Sequence, residues 1–294
     1  MRGPCSEVLG PIREGQNRRR AAFRLVAVAW ITGCSIQPVP TQRTVSLPES
    51  EPPGAVLRYG DARFRHGDLI HALCVFGGGK AIVSASYDRT FVVWDLESGL
   101  ARFRSPVLEG TPLSLDTSSP GDLVAVGFKS GRACIWDLHV GKIIRTFETP
   151  GCWVKTVRFS PDAKSLVTGG SNGELRRWSV STGQLLLTLK GHAGAILAAT
   201  YSPSGDRIAI SGADKTIRIW EVGGGKDPVI LRGHRFVASA LGFSPDGSVL
   251  ASISGSCDYP EAGGPLGMTI EYAVGDGKIV LWNAQTGAEI QSID

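Results

Sequence analysis

Residues 191–220 read GHAGAILAATYSPSGDRIAISGADKTIRIW and end on Trp220, 42 residues after Trp178. Trp94 and Trp136 lie two further steps of 42 upstream, and Trp282 follows Trp220 by 62, which is one period with 20 residues inserted. A fixed period of this length marks one supersecondary unit repeated, each unit burying its faces against its neighbours.

Other positions keep the same register. Twenty-eight residues before four of these tryptophans stand His66, Pro150, His192 and His234, with Leu108 in the second unit. Six residues before the Trp stand Asp88, Ser130, Asn172, Asp214 and Asp276. Between these marks run short apolar stretches such as Phe91–Trp94, Val157–Phe159 and Ile279–Trp282, bounded by Gly, Pro, Asp and Ser, which read as strands. Ser160-Pro161-Asp162, Ser202-Pro203-Ser204-Gly205 and Ser244-Pro245-Asp246-Gly247 are turn sequences between them. Four strands per unit fit the blade of a β-propeller.

Gly191-His192, Gly233-His234 and the dipeptides Trp94-Asp95 and Trp136-Asp137 resemble the signature of the WD-repeat (WD40) β-propeller family, over roughly residues 60–294. The fold class implied is all-β, a propeller of five recognisable four-stranded blades. That family usually closes with seven blades, so five units either close tightly with a redundant outer strand or form an open or incomplete ring, and the open form is the expectation. Ala62–Arg65 read as an outer strand before the first His position, and Glu289–Ile293 as another after the last Trp.

In that family a His, a Ser or Thr, an Asp and the Trp form a buried hydrogen-bonded tetrad. By position, His66, Ser84, Asp88 and Trp94 supply it in unit one, and His234, Ser252, Asp276 and Trp282 in unit five. Unit four has His192, Asp214 and Trp220, but Ile210 fills the hydroxyl position. Unit three keeps Thr168, Asn172 and Trp178, and unit two little beyond Trp136. Because these groups recur in step with the repeat, they read as structural, not as a catalytic triad. No metal-ligand spacing, glycine-rich phosphate loop or cofactor signature is visible, and no catalytic residue is assigned.

Function in such a propeller is expected in loops on one rim, as a non-catalytic protein-interaction scaffold. The resemblance places partners on the narrower face that carries the His and Asp turns. Leu69, His71, Tyr87, Trp153 and Lys155 are the candidate contacts there, and Tyr259 and Tyr272 in the 20-residue insertion join them. A cofactor-binding or enzymatic propeller of quinoprotein or lactonase type is the rival reading, and an outer-membrane assembly lipoprotein a third.

Arg18-Arg19-Arg20, the apolar run Leu25–Ile31 and the ending Gly33-Cys34 describe residues 1–34 as a signal peptide with a lipobox-like end, Cys34 taking the lipid. Residues 35–54, with Pro38, Pro40, Pro48, Pro52 and Pro53, read as a tether, and 55–294 as the propeller. The expected location is the cell envelope, membrane-anchored and facing the periplasm or exterior; a cytoplasmic location is the alternative. The net charge of +4 lies wholly in residues 1–34, where six arginines face Glu7 and Glu14, so the remainder offers no footprint for a nucleic acid.

Overall fold

The computed structural model describes residues 64–119, 121–254 and 277–293. They form five four-stranded antiparallel sheets in chain order. The first holds β1 (Ile70–Phe76), β2 (Ala81–Ser86), β3 (Phe91–Asp95) and β4 (Ala101–Arg104). The second holds β5 (Pro112–Thr117), β6 (Leu123–Phe128), β7 (Arg132–Asp137) and β8 (Lys142–Glu148). The third holds β9 (Val154–Phe159), β10 (Ser165–Gly170), β11 (Leu175–Ser179) and β12 (Leu185–Leu189). The fourth holds β13 (Ile196–Tyr201), β14 (Arg207–Gly212), β15 (Ile217–Glu221) and β16 (Val229–Leu231). The fifth holds β17 (Ala238–Phe243), β18 (Val249–Ser254), β19 (Ile279–Asn283) and β20 (Glu289–Ile293). Apart from a 3-10 turn at Gly77–Gly79, no helix occurs among the described residues.

Each sheet is a blade with the first strand innermost and the fourth outermost. In blade one the second and third strands are buried almost throughout, whereas β4, and β20 in blade five, are largely exposed. Neighbouring turns interlock tightly. Gly173 takes φ +77, and a Cβ there would lie 2.6 Å from the His192 carbonyl and 2.7 Å from that of Gly194. The turn of blade three therefore nests against the strand entry of blade four through bare backbone.

Blade packs on blade through the inner strands: β1 on β5, β5 on β9, β9 on β13 and β13 on β17. No comparable packing joins β17 to β1, and the sheets do not close into a ring. The burial of repeat-equivalent residues shows the consequence. Leu73 is 41% exposed, while Leu115, Val157, Ala199 and Leu241, at the same place in the later blades, are 0–3% exposed. Ile70 is 48% exposed against 1% for Val154 and Ile196. At the other end Ala251, Ile253, Ile279 and Leu281 are only half-buried, where blade one buries Val83, Ala85, Phe91 and Val93. One face of blade one and the opposite face of blade five are the two halves of a joint that the other blades complete.

The sequence reading of a strand at Ala62–Arg65 is corrected at the described positions. Phe64 takes φ +55, a left-handed conformation that cannot continue a strand, and forms a turn. Its ring instead covers Trp94 at 5.6 Å. The strand at Glu289–Ile293 is β20.

Leu115→Ala in this joint removes a fully packed side chain and is expected to cost about 2–5 kcal/mol. Leu73→Ala, with its neighbour missing, should cost about 1 kcal/mol or less, because little packing is lost. Urea denaturation of the two variants checks the contrast; equal losses would show that something covers blade one.

Candidate functional site: the face of the His and Asp turns

In blade one His66 Nδ1 lies 2.9 Å from Asp88 Oδ2, and His66 Nε2 lies 2.7 Å from Ser84 Oγ. The Trp94 indole N–H donates to the same Ser84 oxygen at 2.7 Å. Asp88 also accepts the Gly67 N–H at 2.8 Å and the Thr90 hydroxyl at 2.8 Å. This chain of bonds ties the third strand, which carries the Trp, to the second strand and the turn as one unit. Burial pushes the Asp88 carboxyl upward, but the Gly67 N–H, the Thr90 hydroxyl and His66 outweigh it and hold the group at about 2.

The other blades keep parts of this arrangement. In blade five His234 Nε2 and the Trp282 N–H both meet Ser252 Oγ, at 2.6 and 2.7 Å, while Asp276 lies outside the described residues. In blade four His192 Nδ1 sits 3.0 Å from Asp214, but Ile210 offers no oxygen and the buried His192 Nε2 has no partner. In blade three the Trp178 N–H reaches Thr168 Oγ1 at 2.9 Å, and Asn172 Oδ1 accepts the Glu174 N–H. Blade two has Val126 where the hydroxyl would be, and Trp136 Nε1 is buried without a partner. Leu108, in its His position, is buried in the apolar core instead.

Above these turns the structure brings together four of the residues singled out as partner contacts. The rings of His71 and Tyr87 lie 5.3 Å apart. Lys155 Nζ lies 5.6 Å from the ring centre of Trp153, and its charge acts on His71. Burial first, and the Lys155 charge second, hold His71 below the ordinary histidine value. Trp153 is half-buried and its backbone N–H donates to Ser171 Oγ. Leu69 is exposed beside Tyr87, whose N–H donates to the Leu69 carbonyl. Tyr259 and Tyr272 lie outside the described residues, as does Cys34.

Two features were missed in the sequence. Lys129, on blade two, places Nζ 4.4 Å from the Trp153 ring centre. It holds the same repeat position as Tyr87, seven residues before the Trp, and that register could have found it. The second is a polar row on the inner strands, 20 residues before each of the first four of these tryptophans: Cys74, Asp116, Arg158 and Thr200. These line a cavity of about 770 Å³ to which all five blades contribute, where the inner strands run into their following turns.

The chemistry of that cavity is quiet. Asp116 Oδ2 accepts the Phe159 N–H at 2.7 Å, and Arg158 Nη1 lies 3.4 Å from Oδ1. Burial pushes the Asp116 carboxyl up against the pull of Arg158. Burial and Asp116 push the Cys74 thiol up to about 11, so it carries no thiolate at neutral pH. No group of three or more His, Cys, Asp or Glu among the described residues could hold a metal.

Comparison with known proteins agrees with this geometry. The family described as WD domain, G-beta repeat matches residues 62–95, 141–179 and 183–221. These three segments are WD40 repeats. The guanine nucleotide-binding protein subunit beta of Schizosaccharomyces pombe is 34% identical over 58 residues, 20% of this chain and 19% of that protein. Small ribosomal subunit protein RACK1y of Oryza sativa is 33% identical over 81 residues, 28% of this chain and 24% of that protein. A solved structure, "Structure of U3-55K", superposes with a TM-score of 0.65 at 20% identity, covering 78% of this chain and 65% of that one. The matches thus span about a fifth to a quarter of those two relatives' own lengths, and the structural likeness shows the WD40 β-propeller fold.

Asp88→Ala should cost about 1–3 kcal/mol, because it strands the His66, Gly67 and Thr90 donors. Ser130→Ala, the same repeat position in blade two, should be nearly silent. Since the folded Asp88 titrates below its ordinary value, its contribution is full above that value and fades as pH falls toward about 2. Denaturant melts between pH 6 and pH 2 should show the wild-type advantage over Asp88→Ala shrinking with acid.

Proposed function

We propose that this chain is a non-catalytic protein-interaction scaffold, exported and held at a membrane by lipid on Cys34, its partners docking on the face of the His and Asp turns. The observation that carries the reading is the division of labour on that face. The groups able to do chemistry in blade one, His66 and Asp88, are tied up in the tetrad, and His192 is bonded to Asp214, while His71 and Tyr87 are exposed and Trp153 and Lys155 half-buried on the side of these turns. Exposed aromatic and cationic side chains on a rigid frame supply binding energy without supplying a reaction. The relatives include a G-protein β subunit and a ribosomal subunit protein, names that describe parts of assemblies.

Export and anchoring rest on the order of Arg18-Arg19-Arg20, the run Leu25–Ile31 and Gly33-Cys34, with a proline-rich tether after it. One acyl chain binds a bilayer weakly, so a multiply acylated Cys34 suits a stable anchor. The expected location is the cell envelope, with the propeller outside the cytoplasm.

Two measurements test the reading. Mass spectrometry of the membrane fraction should find acylated Cys34, and Cys34→Ala should release the protein; a variant retained equally by membranes contradicts the anchor. A photo-crosslinking amino acid at Tyr87 should capture a protein partner in cells, whereas the same group at Ser119, at the cavity end, should not. Equal capture at both positions, or none at Tyr87, contradicts the docking face.

A further inference from the structure

One arginine lines the cavity shared by the five blades. Arg158 stands on β9 of blade three, 20 residues before Trp178. The other blades have Cys74, Asp116, Thr200 and, with the 20 inserted residues counted, Gly242 at this place. Those four blades form without a guanidinium here, so the joint between blades does not call for one. Three contacts nevertheless hold Arg158. Nε donates to the Ala199 carbonyl at 3.2 Å, and Nη1 donates to the Leu115 carbonyl and to Asp116 Oδ1, both at 3.4 Å. These partners belong to blades two and four, so the guanidinium is fixed from both sides. Of its donors, the pair on Nη2 bonds nothing among the described residues, and the side chain is 31% exposed.

Asp116 does not saturate this arginine. A bond between a guanidinium and a carboxylate closes to about 2.7–2.9 Å, well short of the 3.4 Å found here. The other Asp116 oxygen is taken by the Phe159 N–H at 2.7 Å. Burial also pushes the Asp116 carboxyl up, which weakens its claim on Arg158.

We infer that the cavity binds a small molecule with one carboxylate on an apolar body, the carboxylate bonded to Arg158 Nη2 and the body against Phe76, Phe243 and Pro203. All four residues line the cavity, and its volume of about 770 Å³ suits a ligand of this class. A guanidinium already fixed by its neighbours gives up little freedom on binding, so the contact keeps most of its strength. A phosphate ester is the poorer match, because it brings up to two charges to one cation beside a carboxyl group. An uncharged apolar molecule leaves Nη2 without an acceptor. The inference adds a ligand to the scaffold and uses the cavity, not the face of the His and Asp turns, so partner docking can fail without touching it.

The test titrates the full chain, in a neutral detergent, with phenylpropionate, phenylpropionamide and phenyl phosphate, read by calorimetry. Phenylpropionate should bind at one site, and the amide about tenfold or more weakly, since it lacks the charge that Nη2 meets. Arg158→Gln should weaken phenylpropionate about tenfold or more, while Lys155→Gln, outside the cavity, should change it less than about twofold. Because Arg158 also ties three blades together, a second readout leaves the chain unaltered. Under near-ultraviolet light, para-benzoylbenzoate should label residues 74–78, 158–161 or 200–203, located by peptide mass spectrometry, and excess phenylpropionate should block the labelling. Equal affinity for the amide, tighter binding of phenyl phosphate, or no binding of phenylpropionate overturns the inference. So does labelling that falls only on other segments or persists under excess phenylpropionate.

Discussion

Everything in this molecule depends on one apolar joint, repeated between consecutive blades. A single four-stranded sheet of this size cannot bury both faces, so each blade is stable only because the next covers it. The joint uses the same positions every time. Leu115, Val157, Ala199 and Leu241 fill it from the inner strand, and Val83, Ala125, Val167 and Ala209 meet it from the second strand of the blade before. The fold is therefore a sum of nearest-neighbour contacts, with two halves left over at its ends. The exposed Ile70 and Leu73 on blade one and the half-buried Ile279 and Leu281 on blade five are those halves. Exposed apolar faces of this kind favour association.

The hydrogen-bonded tetrad is a second layer on that joint, and its uneven survival is informative. Blade one keeps every bond, with Asp88 taking four donors at once. Blade four loses the hydroxyl to Ile210, leaving His192 Nε2 buried without a partner, and blade two loses His, hydroxyl and Asp together. The blades still form with the same strand order and register, so packing sets the fold and the polar network tightens it. This division also frees the turns. Where the motif has lapsed, as at Lys129-Ser130 in blade two, the turn residue is used differently: Lys129 reaches across to the next blade and places Nζ 4.4 Å from the Trp153 ring centre.

Much of this was legible in the sequence because the period is carried by residues that cannot move. Each Trp stands on the third strand of its blade, and in blades one, three and five its N–H is bonded to a hydroxyl of the second strand, so its spacing follows the blade, and the strands followed from it. The placement of His71, Tyr87, Trp153 and Lys155 near one another followed from the same register. That of Lys129 did not, because blade two had lost the landmarks that draw attention to its turn. The Cys74–Asp116–Arg158–Thr200 row was missed for a different reason. Polar residues in alternating strands look like solvent-facing positions, and only the curvature of the blades turns them onto a shared cavity. The Phe64 turn was illegible locally, since a positive φ is rare at an aromatic residue and the ring's contact is with Trp94, 30 positions on.

The claim that these blades form an arc with one uncovered joint is tested most directly by thiol accessibility. Single cysteines placed at Leu73 and at Leu115 occupy the same repeat position, one at the open end and one inside a completed joint. A water-soluble maleimide should label the cysteine at position 73 in the native protein at nearly the rate of an exposed thiol, and leave that at position 115 unlabelled until denaturant is added. Equal protection at both positions would contradict the open arc and show that blade one is covered.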